Sequence, residues 1–325
     1  MRIEVRSSAR LHLGFYTISS GEIAYGSIGV AINKPEVIIH AEEADEINIK
    51  NLTSIDVEED IKDVIKRMNV QGANITVLEA IPRHVGLGST TQLKLAVAYA
   101  LSKIYGLRCN IRRLAFMLGR GTVSGIGIAV FEHGGFIIDS GRLVRNGMIH
   151  EPRSPDDIPS VIFRTSLPKN WRFIVAVPKG IRGLDEKEEK RPLEAPEFNE
   201  KLERELHDAV LIDMLPALAR RDAKRFGEAL TKIQRLVGRY FSKFQGGEFC
   251  CWETERIVEY MLENGAYGAG QSSWGPVAYG LTEGKKRAEE LLNRMLGFVE
   301  KSGIDAEIFE AQPRNRGFYC RAIRF

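Results

Sequence analysis

At 325 residues the chain is long enough to bury one large hydrophobic core or two ordinary ones. Its 46 Lys and Arg against 43 Asp and Glu leave a formal charge of +3, too balanced for a nucleic-acid footprint or a membrane-surface patch, so small-molecule chemistry is favoured. Cys109, Cys250, Cys251 and Cys320 show no metal-ligand spacing, adjacent Cys250 and Cys251 are poorly placed to bridge each other, and no segment approaches bilayer length; a soluble cytoplasmic protein with reduced thiols is expected.

Ile3 and Val5 alternate with charged residues, which predicts a first strand continuing through Arg10-Leu11-His12-Leu13 to Gly14. Residues 21–29, with Tyr25-Gly26-Ser27 at their centre, are glycine-rich and read as a loop between strands. Further strands are predicted over 37–40, 47–49 and 73–78, and Val57, Ile61, Val64, Ile65 and Met68 recur at helical spacing.

In Pro82-Arg83-His84-Val85-Gly86-Leu87-Gly88-Ser89-Thr90-Thr91, glycines and hydroxyl residues run straight into Leu93, Ala96, Val97, Ala100, Leu101 and Ile104 at helical spacing. Ser89, Thr90 and Thr91 therefore occupy a helix start, and Gly106 its stop. Free N–H groups and the positive end of the dipole meet there, and Gly86 and Gly88 leave room for a phosphate. The stretch reads as an anion cradle or as an ordinary capped helix after a turn.

A helix is predicted over 111–118 and a strand over 136–139. Residues 136–141 have the outline of a phosphoribosyltransferase diphosphate loop, but that loop carries adjacent acids and only Asp139 is present. The proline-punctuated stretch 151–159 reads as a linker or long surface loop, with a domain boundary expected at 165/166. Beyond it come a buried strand over 172–178 and a charged, solvated run over 179–191. Helical periodicity then covers 199–219, Phe226 to Val237 and Ile257 to Met261, and strands over 276–281 and 318–325 flank a helix over 285–299. The mixture predicts an α+β fold in two domains, 1–165 and 166–325.

Residues 82–91 resemble the Pro-x-x-x-Gly-Leu-Gly-Ser-Ser loop of the GHMP kinase superfamily, whose members phosphorylate galactose, homoserine and mevalonate-type substrates. Thr122-Val123-Ser124-Gly125-Ile126-Gly127 with Gly134-Gly135 resembles its second motif, and Gly268-Ala269-Gly270-Gln271-Ser272-Ser273-Trp274-Gly275-Pro276 its third. The resemblance implies an N-terminal mixed α/β domain followed by a ferredoxin-like α+β domain. Where the kinases carry a catalytic aspartate this chain has Gly127, where many carry a magnesium-binding glutamate it has Phe116, and Arg10 stands for a lysine. Two lost carboxylates argue against phosphoryl transfer.

Arg10-Leu11-His12-Leu13-Gly14, residues 25–29, Gln245-Gly246-Gly247 and residues 265–276 resemble a non-kinase branch of the superfamily, the archaeal β-ribofuranosylaminobenzene 5′-phosphate synthases. That resemblance implies condensation of phosphoribosyl diphosphate with 4-aminobenzoate or 4-hydroxybenzoate, with loss of carbon dioxide and diphosphate, in methanopterin biosynthesis. It further implies Mg²⁺, with Thr90 a candidate ligand, and a homodimer. Arg10 and His12 share one strand face. Arg10 would clamp a phosphate or carboxylate, His12 is either a site group or a structural histidine, and Trp274 either stacks on the aryl ring or belongs to the core. Gly26, Ser27, Gly86, Gly88, Ser89, Thr90, Thr91, Ser124, Gly125, Gln271, Ser272 and Ser273 complete the expected substrate site, with His133, Lys179 and Arg182 as further candidates. A superfamily kinase and a binding protein without chemistry are the alternative readings.

Overall fold

The computed structural model describes residues 2–183 and 192–323; part of the charged run (184–191) and residues 324–325 lie outside them. Strand β1 (Arg2–Ser20) turns at Gly21 into β2 (Ile23–Glu42), and the two pair antiparallel along most of their length. The ladder is irregular between Ser8 and Arg10, His12 and Gly14, and Phe15 and Thr17. Such bulges re-aim side chains and are common beside active sites.

Residues 21–29 are not a loop throughout, because residues 23–29 belong to β2. Their glycines serve packing. A Cβ on Gly26 would overlap the Tyr16 ring, and one on Gly29 would overlap Ile126.

β3 (Ile47–Asn51) runs parallel to β4 (Ala73–Glu79), which pairs with β2. Between them α1 (Glu58–Met68) buries Ile61, Val64, Ile65 and Met68. α2 (Ser89–Ile104) packs against β1 and β2, followed by α3 (Ile111–Met117) and α4 (Ile126–His133). β5 (Phe136–Asp139) and β6 (Arg142–Arg145) each pair with β2, β7 (Met148–Ile149) with β6, and β8 (Val161–Thr165) with β5. The stretch before β8 is pinned down rather than free. Ser154 and Asp157 form a capping box, and Arg112 donates to the carbonyls of Asp156 and Ile158.

A second sheet has the order β10-β11-β9-β12, all antiparallel: β9 (Trp171–Pro178), β10 (Gly268–Gln271), β11 (Ala278–Glu283) and β12 (Ala306–Ala311). Alternation on β9 sorts its two faces. Phe173, Val175 and Val177 join the large core shared with the first sheet, while Ile174 and Ala176 pack under α8 (Trp252–Glu263) and α9 (Lys285–Ser302). Before α8 come α5 (Glu200–His207), a π-helical segment (Asp208–Met214), α6 (Leu215–Ala219) and α7 (Ala223–Gln245).

Residues 268–271 of the third motif form strand β10, and their glycines let α7 cross closely: a Cβ on Gly268 would overlap Gly227, and one on Gly270 would overlap Gln234. The last strand, β13 (Tyr319–Ile323), leaves the C-terminal half and pairs with β1, from Arg2 opposite Ile323 to Arg6 opposite Tyr319. Phe318 anchors its approach by stacking on Phe131, ring centroids 4.5 Å apart. Among the described residues no helix is long and apolar enough to cross a membrane, and all four cysteines are unbridged.

Candidate active site

The loop leading into α2 is tightly folded, with His84 at φ 56°, Gly86 at 97° and Gly88 at 81°. α2 starts at Ser89 with no side-chain cap, leaving its first N–H groups for a ligand or water. The loop itself is interlocked with the third motif. Val277 N–H donates to Val85 O at 3.2 Å, Gly183 N–H to His84 O at 2.8 Å, and Ser272 Oγ to Gly86 O at 2.6 Å. A Cβ on Gly86 would overlap Ser272 O, and one on Gly275 would overlap Val85. The space beside Gly86 is thus filled by protein backbone, and Gly88 lies against Arg10, whose Cγ would be 3.1 Å from an added Cβ.

Ser272 joins three parts of the chain. It accepts from His12 N–H at 3.0 Å while donating to Gly86, and so ties the bulged middle of β1 to both loops. Arg10 donates through Nη1 to Gly86 O. His12 Nδ1 accepts the Gly14 N–H at 3.3 Å, so its proton sits on Nε2 as a donor. Burial, with the Arg10 charge second, holds His12 down at about 3, a neutral imidazole at physiological pH.

A cavity opens beside these groups. One wall carries Arg10, His12, Thr91, Arg120, Ser124 and Gly127; Arg120 Nε donates to Thr91 Oγ1 at 3.2 Å, and a Cβ on Gly127 would stand 3.2 Å from Thr91 Cγ2. Phe15, Val237, Phe241, Phe249 and Trp274 line the cavity with apolar surface, and Gln234, Gln245, Glu248, Gln271 and Ser273 add polar groups. Trp274 is nearly buried and meets Phe241 edge-on at 4.7 Å. It therefore belongs both to the core and to the cavity wall. Ser273 sits at φ 60°, a strained setting for a residue with a side chain.

Of the expected site residues, Arg10, His12, Thr91, Ser124, Gln271, Ser273 and Trp274 meet on this cavity. Gly86, Gly88, Ser89, Thr90 and Ser272 do not line it. Gly26 instead packs under the Tyr16 ring, and Ser27 and Gly125 build the support around Asp139. That fully buried carboxylate accepts from Ser27 N–H, Gly125 N–H and Gly141 N–H at 2.8–3.0 Å, and from Ser124 Oγ at 3.3 Å. Burial raises it to about 6 against the pull of those donors. Asp139 is a brace, not half of a diphosphate loop. His133 pairs with Glu132, Lys179 pairs with Asp305, and Arg182 is exposed, all off the cavity wall.

Sequence reasoning missed Arg120, Glu248 and the α7 face formed by Gln234, Val237 and Phe241. The available signals were a lone arginine just ahead of the second motif and the Gln245-Gly246-Gly247 block beside Glu248.

Residues 57–135 match the family described as GHMP kinases N terminal domain, and residues 214–301 that described as GHMP kinases C terminal. The β-ribofuranosylphenol 5′-phosphate synthase of Methanocaldococcus jannaschii is 33% identical, covering 96% of this chain and 98% of its own. That of Methanothermobacter thermautotrophicus is 30% identical, covering 97% of each. This chain belongs to the β-ribofuranosylphenol 5′-phosphate synthase family. The synthase family is in turn a branch of the GHMP kinase superfamily, and the fold agrees. Homoserine kinase from Cytophaga hutchinsonii superposes with TM-score 0.68 at 17% identity, over 98% of this chain and 97% of that one. A chain named MDDEF, solved with MVAPP, AMPPCP and magnesium, superposes with TM-score 0.68 at 15% identity, over 99% of each.

Proposed function

We propose that this chain joins C1 of phosphoribosyl diphosphate to the carboxyl-bearing ring carbon of 4-hydroxybenzoate or 4-aminobenzoate. The observation that carries the reading is a single cavity in which two arginines meet an aromatic lining, with Gly127 where a phosphoryl-transfer site would present a carboxylate.

The C1–O bond breaks and its electron pair leaves with diphosphate, while a ring π pair forms the new C–C bond. The C–CO₂ bond then breaks, and its pair restores aromaticity. No hydroxyl proton has to be removed from the nucleophile, so the absence of a base at Gly127 suits the step. Arg10 and Arg120 hold phosphate oxygens, with the first N–H groups of α2 behind them. Neutral His12 donates from Nε2 to the benzoate carboxylate or to a phosphate oxygen, and Trp274 lies against the acceptor ring.

Magnesium accompanies the MDDEF complex. Among the described residues no group of three or more His, Cys, Asp or Glu could hold a metal ion, and Thr90 is off the cavity wall. These residues do not fit a protein-held ion. We therefore assign magnesium to the donor diphosphate as its counter-ion.

The homodimer belongs to the same proposal. Edge strand β8 leaves Val161, Ile162 and Phe163 at 36, 58 and 39% exposure, a surface that pairing with a second copy would cover. Sedimentation at rising concentration tests it, and a persistent monomer would refute it.

Carboxyl-labelled 4-hydroxybenzoate and 4-aminobenzoate, each with phosphoribosyl diphosphate, are expected to release labelled carbon dioxide and diphosphate without ATP. No donor-dependent release, or ATP-dependent phosphorylation of an alcohol, would overturn the reading.

A further inference from the structure

The cavity lining carries two arginines but, among the described residues, one carboxylate: Glu248. The reaction as proposed does not yet use it. Its position is fixed from three sides. Gly246 ends α7 in the left-handed region at φ 82°, turning the chain back over the helix. Gln245 Nε2 donates to the backbone oxygens of Gly247 at 3.2 Å and Glu248 at 2.9 Å. Gly238 on α7 lets the turn settle closely, since a Cβ there would overlap Glu248 O and stand 3.0 Å from its Cγ.

The carboxylate is mostly covered, with 24% of its side chain exposed. Arg235 Nη1 at 3.8 Å and Arg239 Nε at 3.9 Å balance its charge. Both distances exceed hydrogen-bonding range, and among the described residues no donor reaches either oxygen. Glu248, with no hydrogen-bond donor on either carboxylate oxygen among the described residues, is therefore part of the lining of a cavity that also holds Phe241, Phe249 and Trp274.

Acceptor chemistry gives such a group a task, and this step rests on the function proposed above. When C1 of the donor bonds to the ring carbon bearing the carboxylate, the ring loses a π pair and becomes cationic. That charge is shared by the carbons ortho and para to the attack, and at the para carbon it passes to the hydroxyl oxygen or amino nitrogen. The O–H or N–H is then far more acidic than in free substrate. A carboxylate accepting its hydrogen bond gains strength as the transition state is approached, which is the condition for catalysis rather than mere binding. The proton stays on the substituent, because departure of carbon dioxide returns the electron pair to the ring.

We propose that Glu248 is the catalytic acceptor-recognition residue: it receives the hydrogen bond of the para hydroxyl or amino group and stabilises the positive charge that develops there. Arg10 and Arg120 would serve the anionic end of the reaction and Glu248 its cationic end. The assignment also predicts specificity, because a para substituent without a proton has nothing to donate.

The test compares 4-hydroxybenzoate with 4-methoxybenzoate, whose electron donation to the ring is similar, in the wild type and in Glu248→Gln. Wild type is expected to prefer the hydroxy acid by on the order of 10²-fold in kcat/KM. In Glu248→Gln, kcat with 4-hydroxybenzoate should fall by on the order of 10²-fold, KM for phosphoribosyl diphosphate should stay within about twofold, and the preference over the methoxy acid should largely vanish. A purely structural Glu248 would lower both acceptors alike and leave their ratio intact, and that result would overturn the proposal. Equal use of both acids by the wild type would overturn it as well, and this arm holds even if the variant does not fold. No carbon dioxide release by the wild type from any benzoate is a separate outcome, which removes the parent function and this role with it.

Discussion

The cavity wall that carries Arg10, His12 and Thr91 is held by interlocked backbone, whereas the side formed by Val237, Gly238 and Phe241 comes from one face of the helix α7. In the first, glycines meet carbonyls: Gly86 against Ser272, Gly275 against Val85, and Gly125 beside Pro159 and Asp139. In the second, side chains at helical spacing do the packing, with the 245–249 turn folded over them. The first can position charge within a fraction of an ångström but tolerates almost no added atom. The second can change shape by substitution, as suits a surface that selects an acceptor ring.

The sharpest way to break this contrast is Gly86→Ala. The new Cβ meets the Ser272 carbonyl at a φ of 97° that disfavours any side chain. The expected cost is on the order of 3 kcal/mol or more, read from denaturant midpoints. A near-neutral result would mean that the two loops are not interlocked.

Next in size is the buried brace. Asp139 rises from an ordinary 3.8 to about 6 in the folded protein. A raised carboxyl favours folding while protonated, so its contribution is complete below pH 3.8 and is lost as pH climbs through 6. The full swing is about 3 kcal/mol. Stability measured from pH 4 to 7 should therefore fall less steeply in Asp139→Asn than in the wild type; parallel curves would remove the buried titration from the account.

Arg120→Ala should act on binding. Losing a charge-assisted contact to phosphate costs roughly 2–3 kcal/mol, so KM for phosphoribosyl diphosphate should rise on the order of 10²-fold with the melting temperature nearly unchanged. Donor KM at the wild-type value would place the phosphates elsewhere.

Smallest is Trp274→Phe. An aromatic face remains while area and edge contact with Phe241 shrink, so benzoate affinity should weaken by about tenfold or less, with about 1 kcal/mol lost from stability. A donor defect of equal size would show that the indole does not serve the acceptor.

The same contrast governs what could be read before the fold was known. Arg10, His12, Ser124, Gln271 and Trp274 could be singled out because the short motifs that carry them resemble those of the superfamily and its synthase branch. Which glycine yields to a ligand and which to protein could not be read from them. Gly26 lies under Tyr16 and Gly86 under Ser272, and both neighbours arrive from other strands or loops. On α7, Phe226, Leu230, Ile233 and Val237 announced a buried face, but periodicity records burial without naming what lies opposite. Phe241 and Glu248 stayed silent for that reason. β10 was hidden because Gly268-Ala269-Gly270 offers no alternating side-chain pattern, only room for α7.

The pairing of β13 with β1 sets an order in time. Residues 21–318 lie between the two partners, and a ribosome adds about 5–20 residues per second, so β1 waits about 15–60 s for its neighbour. Throughout that interval the edge strand presents unpaired N–H and C=O groups beside Ile3 and Val5. Glu4 meets Arg321 across this seam only after β13 has been made. Nascent chains stalled before residue 319 should therefore be captured by chaperones that hold open sheet edges, and chains released a few residues later should not.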